Sequence, residues 1–194
     1  PIEIKTQKVF PVGRINDIIV YFMHYKSFDE AKQTCLEALK PLGDDYLKTV
    51  KTCFENRWID IYENEGKRGG AYSMGARPHP YILLNHKDTL DSMFTLAHEM
   101  GHAIHSYYSN KNQPTVYSDY EIFVAEVAST CNEALLMEYL LKKTTDKKEK
   151  GYAYLHENRK ILRQNSIITR SQEQMMPQHE GYSQSFYRHS IFFC

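Results

Sequence analysis

Net charge, long apolar runs and closely spaced cysteines are all missing from this chain of 194 residues. Lys plus Arg number 24 and Asp plus Glu number 24. There is therefore no overall basic field of the kind that binds nucleic acid or an anionic membrane without further specificity, and neither partner is expected. The longest uncharged apolar run, Ile18 to Met23, is far short of the roughly 20 residues a membrane-spanning helix needs. No basic-then-apolar signal segment opens the chain, so a cytoplasmic setting is expected. Cysteine is sparse: Cys35, Cys53, Cys131 and Cys194 are too widely scattered for a secreted disulfide framework or a Cys-x-x-Cys metal pair. They read as free thiols. The chain starts at Pro1 without a methionine and stops at Cys194, which reads as a piece of something larger.

What is present is an ordinary globular composition, 42% hydrophobic and 25% charged, sufficient for one domain with a substantial core. Ser27 with Glu30 forms a capping-box signature, and Phe28, Ala31, Cys35 and Leu39 follow at helical spacing, predicting a helix from about Phe28 to Lys40. Pro41 and Gly43 break it. Asp44 or Asp45 starts a second helix through Val50 and Phe54 toward Arg57, antiparallel to the first. Trp58, Asp60 and Tyr62 alternate with Ile59 and Ile61 before the turn Asn64-Glu65-Gly66, which predicts a hairpin. A further strand is expected in Pro80 to Asn85. Asp88 or Thr89 begins a helix that runs to the breakers at Asn110 to Pro114. Ser118 with Glu121 reads as a second capping box, opening a long helix from Asp119 to about Lys142. The charge run from Lys142 to Lys150 reads as a surface turn.

The third of these helices contains His98-Glu99-Met100-Gly101-His102. Histidines four apart stand about 40° apart around a helix, one turn apart along it, so both imidazoles can face one ion. Glu99 then stands close enough to reach a water on that ion without being a ligand. This is the pattern a zinc hydrolase requires, His-Glu-x-x-His with the carboxylate as general base. Three fixed residues also occur by chance in helices whose histidines merely hydrogen-bond to neighbours. Weighing against that, the histidines interrupt an apolar stretch, Ala97 to Ile104, where unpaired polar groups are costly. Gly101 inside a helix costs about 1 kcal/mol relative to alanine, which close approach of another backbone, a substrate or simple packing would explain. A third ligand is available in Glu126, set among Phe123, Val124, Ala125, Val127 and Ala128, an unlikely surrounding for a solvent-facing carboxylate. The helix break at Asn110 to Pro114 lets the chain fold back so that Glu126 meets His98 and His102. The metzincin arrangement is excluded, because the position of its third histidine is Tyr108 and that of its midway glycine is His105. His105 reads as a neighbouring hydrogen bonder or packed histidine rather than a fourth ligand. Glu133, two turns beyond Glu126, either orients a ligand histidine or is a surface or salt-bridged carboxylate. Gly69, Gly70 and Ala71 either let substrate backbone pair at a strand edge or form an ordinary glycine-containing hairpin.

In order and spacing, "GKRGGAYSMG", "PYILLN", "FTLAHEMGHAIHSYYS" and "FVAEVASTCNEALL" resemble the oligoendopeptidase F group of the thimet-oligopeptidase-like zinc metallopeptidases. The family pattern His-Glu-x-Gly-His-x-x-His is met by His98, Glu99, Gly101, His102 and His105, and its distal glutamate ligand by Glu126. The resemblance runs from about Ser27 to Leu141, while residues 1–23 and 151–194 diverge. It implies a mainly α, zincin-like metallopeptidase core with a small β-hairpin or sheet beside the active-site helix. It also implies one Zn2+ per chain and hydrolysis of short peptides through a zinc-bound water with Glu99 as general base. Family enzymes are several times longer and place donors to substrate and oxyanion in C-terminal sequence, where Tyr182, Tyr187 and His189 have the right residue types. The expectation is thus a single partial catalytic domain. Its rivals are a catalytically silent zinc-binding helical fragment and a helical interaction protein with a chance motif. Peptide preference and oligomeric state are left open.

Overall fold

The computed structural model describes residues 27–144; Tyr182, Tyr187, His189 and the segments 1–23 and 151–194 that were expected to diverge lie outside the described residues. Helix α1 (Phe28–Ala38) begins where Ser27 Oγ accepts from the Glu30 backbone N–H at 3.3 Å, half of the predicted capping box. A 3-10 turn, Lys40–Leu42, and Gly43 at φ 91° lead into α2 (Asp44–Glu55). Short strands β1 (Ile59–Asp60), β2 (Tyr72–Met74) and β3 (Tyr81–Leu83) follow, then α3 (Leu90–Asn112), a second 3-10 turn, Thr115–Tyr117, and α4 (Ile122–Lys143). The fold is mainly helical with one small sheet. The core is shared: Ala31, Cys35 and Leu39 of the α1 region, Val50 and Cys53 of α2, Ile82 of β3, eight apolar residues of α3 including Met93 and Phe94, and Leu136 of α4. No helix among the described residues is long and apolar enough to cross a membrane.

Two sequence expectations are corrected. The segment after Trp58 is no hairpin: the sheet order is β1-β3-β2, with β1 parallel and β2 antiparallel to β3. The turn at Asn64 to Lys67 does form, with the Lys67 N–H bonding Asn64 O at 3.0 Å. Beyond it the chain returns no paired strand. Instead, the nearly buried Lys67 ammonium donates to Tyr62 O at 2.6 Å and Asp60 O at 3.3 Å, and pairs with the Asp60 carboxylate at 3.1 Å. One cation thus satisfies acceptors that a hairpin partner would have met.

The second correction concerns the start of α4. Ser118 is not its cap; its hydroxyl donates to Thr115 O at 3.1 Å and closes the preceding 3-10 turn. The helix begins three residues later than expected, with Glu121 at the cap position and no side-chain cap bond. Its first half is also less covered than its apolar sequence implies, since Ile122, Phe123, Val124 and Val127 are exposed among the described residues.

Candidate metal centre

Thr89 opens α3, accepting from the Ser92 N–H at 3.1 Å. Helical spacing then brings His98 and His102 to one face, with their Nε2 atoms 3.0 Å apart. Glu126 approaches from the first turns of α4: its Oε2 is 3.6 Å from His98 Nε2 and its Oε1 3.7 Å from His102 Nε2. Tetrahedral donors about 2.1 Å from a zinc ion stand about 3.4 Å from one another. The three observed separations bracket that value, so the donor set fits zinc without rearrangement of the backbone. Among the described residues this is the one cluster of His, Cys, Asp and Glu side chains placed to hold a metal.

The surroundings suit this chemistry. Glu133 is fully buried, and its Oε1 is 3.3 Å from His98 Nδ1. The surface alternative for that residue is thereby removed. A carboxylate against Nδ1–H fixes the tautomer that leaves the Nε2 lone pair free for a metal. Burial, followed by the neighbouring His98 ring, holds the His102 imidazole below its ordinary pKa, so its neutral, metal-binding form persists. Ser129 Oγ donates to Glu126 Oε2 at 3.0 Å, restricting the carboxylate. Glu126 is half-buried, and its apolar neighbours Phe123, Val124 and Val127 are exposed. The expectation that an apolar surrounding hides it is therefore corrected: what holds it is Ser129 and the two imidazoles. Glu99 is buried at 7% exposure, in the turn between the histidines.

Gly101 lies against α4. A Cβ on it would fall 2.6 Å from Ser129 Cα and 2.7 Å from Ala128 O, so the close approach that its presence suggested is made by helix backbone. His105 stands edge-on to the Tyr120 ring, centroids 4.2 Å apart, and is outside the metal cluster. Gly69, Gly70 and Ala71 precede β2, an edge strand of the sheet. Gly70 and Ala71 line, with Leu84, Asn85 and Thr95, a cavity of about 410 Å³. Thr95 is one turn before Glu99 on α3, and Asn85 Nδ2 bonds Gly70 O at 2.7 Å. Residues missed by sequence reasoning are Ser129, Asn132 and Tyr46. Asn132 Nδ2 donates to Ala97 O at 3.1 Å, and Tyr46 Oη donates to Asn132 Oδ1 at 3.0 Å. Buried polar residues in α4 were the available signal, since such groups need partners.

A family model described as peptidase family M3 matches residues 24–179. The chain is 53% identical over 131 residues to the oligopeptidase PepF of Bacillus subtilis (strain 168), covering 67% of this chain and 20% of that protein. It is 50% identical over 130 residues to the chromosomal oligoendopeptidase F of Lactococcus lactis subsp. cremoris, covering 66% and 22%. The chain thus spans only 20% and 22% of the lengths of these curated relatives. A solved structure named as a peptidase from Chlamydophila abortus superposes with a TM-score of 0.63 at 44% identity, covering 70% of this chain and 23% of that one. Another, named as an oligoendopeptidase F from Bacillus anthracis str. Ames, has a TM-score of 0.58 at 21% identity and speaks to the fold alone.

Proposed function

The chain belongs to peptidase family M3, and from that premise we propose that it is the zinc-binding core of a metallo-oligopeptidase that hydrolyses short peptides. The observation that carries the reading is the convergence of His98 Nε2, His102 Nε2 and the Glu126 carboxylate at mutual distances of 3.0 to 3.7 Å. These three residues would hold one Zn2+. Bound there, the ion would polarise a scissile carbonyl and acidify a water molecule.

The side chains divide the remaining work. Glu99 takes the proton from water as the oxygen attacks the peptide carbonyl, then delivers it to the leaving amine. The Glu133 carboxylate, 3.3 Å from His98 Nδ1, keeps that ring oriented. Ser129 holds Glu126 in the rotamer that faces the histidines. Peptide backbone enters along the edge of β2 beside Gly69, Gly70 and Ala71, where the cavity reaches Thr95. His105 packs against Tyr120 and serves the site from outside the ligand set. The substrate class is supported by the names of the relatives, oligopeptidase and oligoendopeptidase F. The same reading sets the chain in the cytoplasm, where Cys35, Cys53 and Cys131 stay thiols.

The test is hydrolysis of a quenched fluorogenic short peptide by the parent and by Glu99→Gln at equal zinc occupancy. The amide keeps shape and removes the base, so zinc and fold are expected to persist while turnover falls by at least about 100-fold. Zinc binding without turnover in the parent would favour the silent helical module instead. Turnover by Glu99→Gln within a few-fold of the parent would remove Glu99 from the mechanism.

A further inference from the structure

We infer that Tyr46 of α2 is a positioning residue for the metal centre, acting through the side-chain amide of Asn132. The inference rests on the zinc-site reading above and concerns how that site is held. Asn132 is buried at 1% exposure between α3 and α4. An amide has a donating and an accepting end, and only one orientation serves both of its neighbours here. The Ala97 carbonyl can only accept, so it requires Nδ2. That carbonyl fixes the orientation, and the Tyr46 hydroxyl, 3.0 Å away, donates to the Oδ1 so presented and holds it in place. Burial holds the phenol above its ordinary pKa range, so it remains a hydroxyl donor at neutral pH. Without that donor, Oδ1 would be left buried without the partner that tethers it to α2, and the amide would be freer to shift against Ala97.

The contact matters because of what stands beside each end of it. Ala97 immediately precedes His98, and Asn132 immediately precedes Glu133, whose carboxylate meets His98 Nδ1 at 3.3 Å. One turn further along α3, Gly101 precedes His102 and touches the backbone of Ser129, whose hydroxyl holds Glu126. The Gly101 contact sets how closely the helices approach, but apposed backbones can still slide. The Asn132 bond to Ala97 supplies the register. It thereby sets two carboxylates on opposite nitrogens of one imidazole: Glu126 toward Nε2 at 3.6 Å and Glu133 toward Nδ1. Tyr46 ties this register to α2, an element that contributes nothing else to the metal centre.

Tyr46→Phe keeps the ring, which packs against the core, and deletes only the donor. Zinc affinity of the full chain is measured by competition with a chromophoric chelator, beside the visible absorption of the cobalt-substituted chain and the thermal midpoint of the metal-free chain. The expected result is a loss of about 10-fold in zinc affinity, the lower end of what removing an outer partner of a metal ligand produces, with an altered cobalt spectrum. A Tyr46→Phe chain with parental affinity and spectrum overturns the inference while leaving the zinc site standing, as does a lowered thermal midpoint with affinity unchanged. A parent chain that binds no zinc overturns both. If stability and affinity fall together, the double variant Tyr46→Phe/Asn132→Asp decides. Affinity no lower than that of Asn132→Asp alone supports a relay through the amide, and an additive loss overturns it.

Discussion

At Gly101 two helices meet backbone to backbone, and a single methyl group separates competing effects. In isolation, alanine is favoured over glycine in a helix by about 1 kcal/mol. Here its Cβ would stand 2.6 Å from Ser129 Cα and 2.7 Å from Ala128 O, main-chain atoms that cannot rotate away. Overpacking of this kind costs about 1–3 kcal/mol, and a rigid neighbour puts the cost at the upper end. Gly101→Ala is expected to destabilise the metal-free chain by about 2 kcal/mol net and to weaken zinc binding, measured by denaturant unfolding and chelator competition. Stability at or above that of the parent would mean the helices part freely and the contact is not limiting. In the sequence, Gly101 is visible as a glycine that needs a reason, but whether backbone, substrate or packing supplies it depends on a partner 27 and 28 positions away. Periodicity carries no such information. The same distance hides Tyr46 and Asn132, 86 residues apart. Glu133 is legible as a candidate because it repeats on the face of Glu126, and only its burial decides between orienting a histidine and meeting solvent.

Element boundaries follow the sequence where a local group decides them. Thr89 caps α3 and Ser27 caps α1 through their own hydroxyls, and the central strand β3 falls inside its β-prone run. Boundaries decided by long-range bonds are different. The hairpin expected after Trp58 fails because β1 finds its partner in β3, more than 20 residues on, while Lys67 occupies nearby carbonyls. The end of α2, by contrast, is closed locally but without the glycine that usually marks such a stop. The Trp58 N–H reaches back to Cys53 O at 3.2 Å, and Arg57 adopts φ 58°, the left-handed position that glycine ordinarily fills at a helix end. Arginine in that conformation costs about 1–2 kcal/mol, partly offset in a comparison with glycine by glycine's greater loss of backbone freedom on folding. Arg57 is exposed. Arg57→Gly is expected to stabilise the chain by about 0.5–1 kcal/mol, seen as a rise of a few degrees in the thermal midpoint. A fall would show that the arginine side chain contributes more than its backbone costs.

Across the molecule, the proposed zinc site is an assembly of three helices. α3 supplies both histidines and Glu99, α4 supplies Glu126, Glu133 and the groups that hold them, and α2 anchors the register through Tyr46. The local half of this arrangement, two imidazoles one turn apart, is written in five consecutive residues. The other half depends on α4 folding back across α3, which the break after Asn112 permits and the Gly101 contact makes close. The central claim is that His98, His102 and Glu126 hold one zinc ion. It is tested most directly by the zinc content of purified parent and Glu126→Ala chains after dialysis against the same mild chelator. One equivalent retained by the parent and a small fraction of that by Glu126→Ala is the expected result. Stoichiometric zinc in Glu126→Ala, or none in the parent, would contradict it.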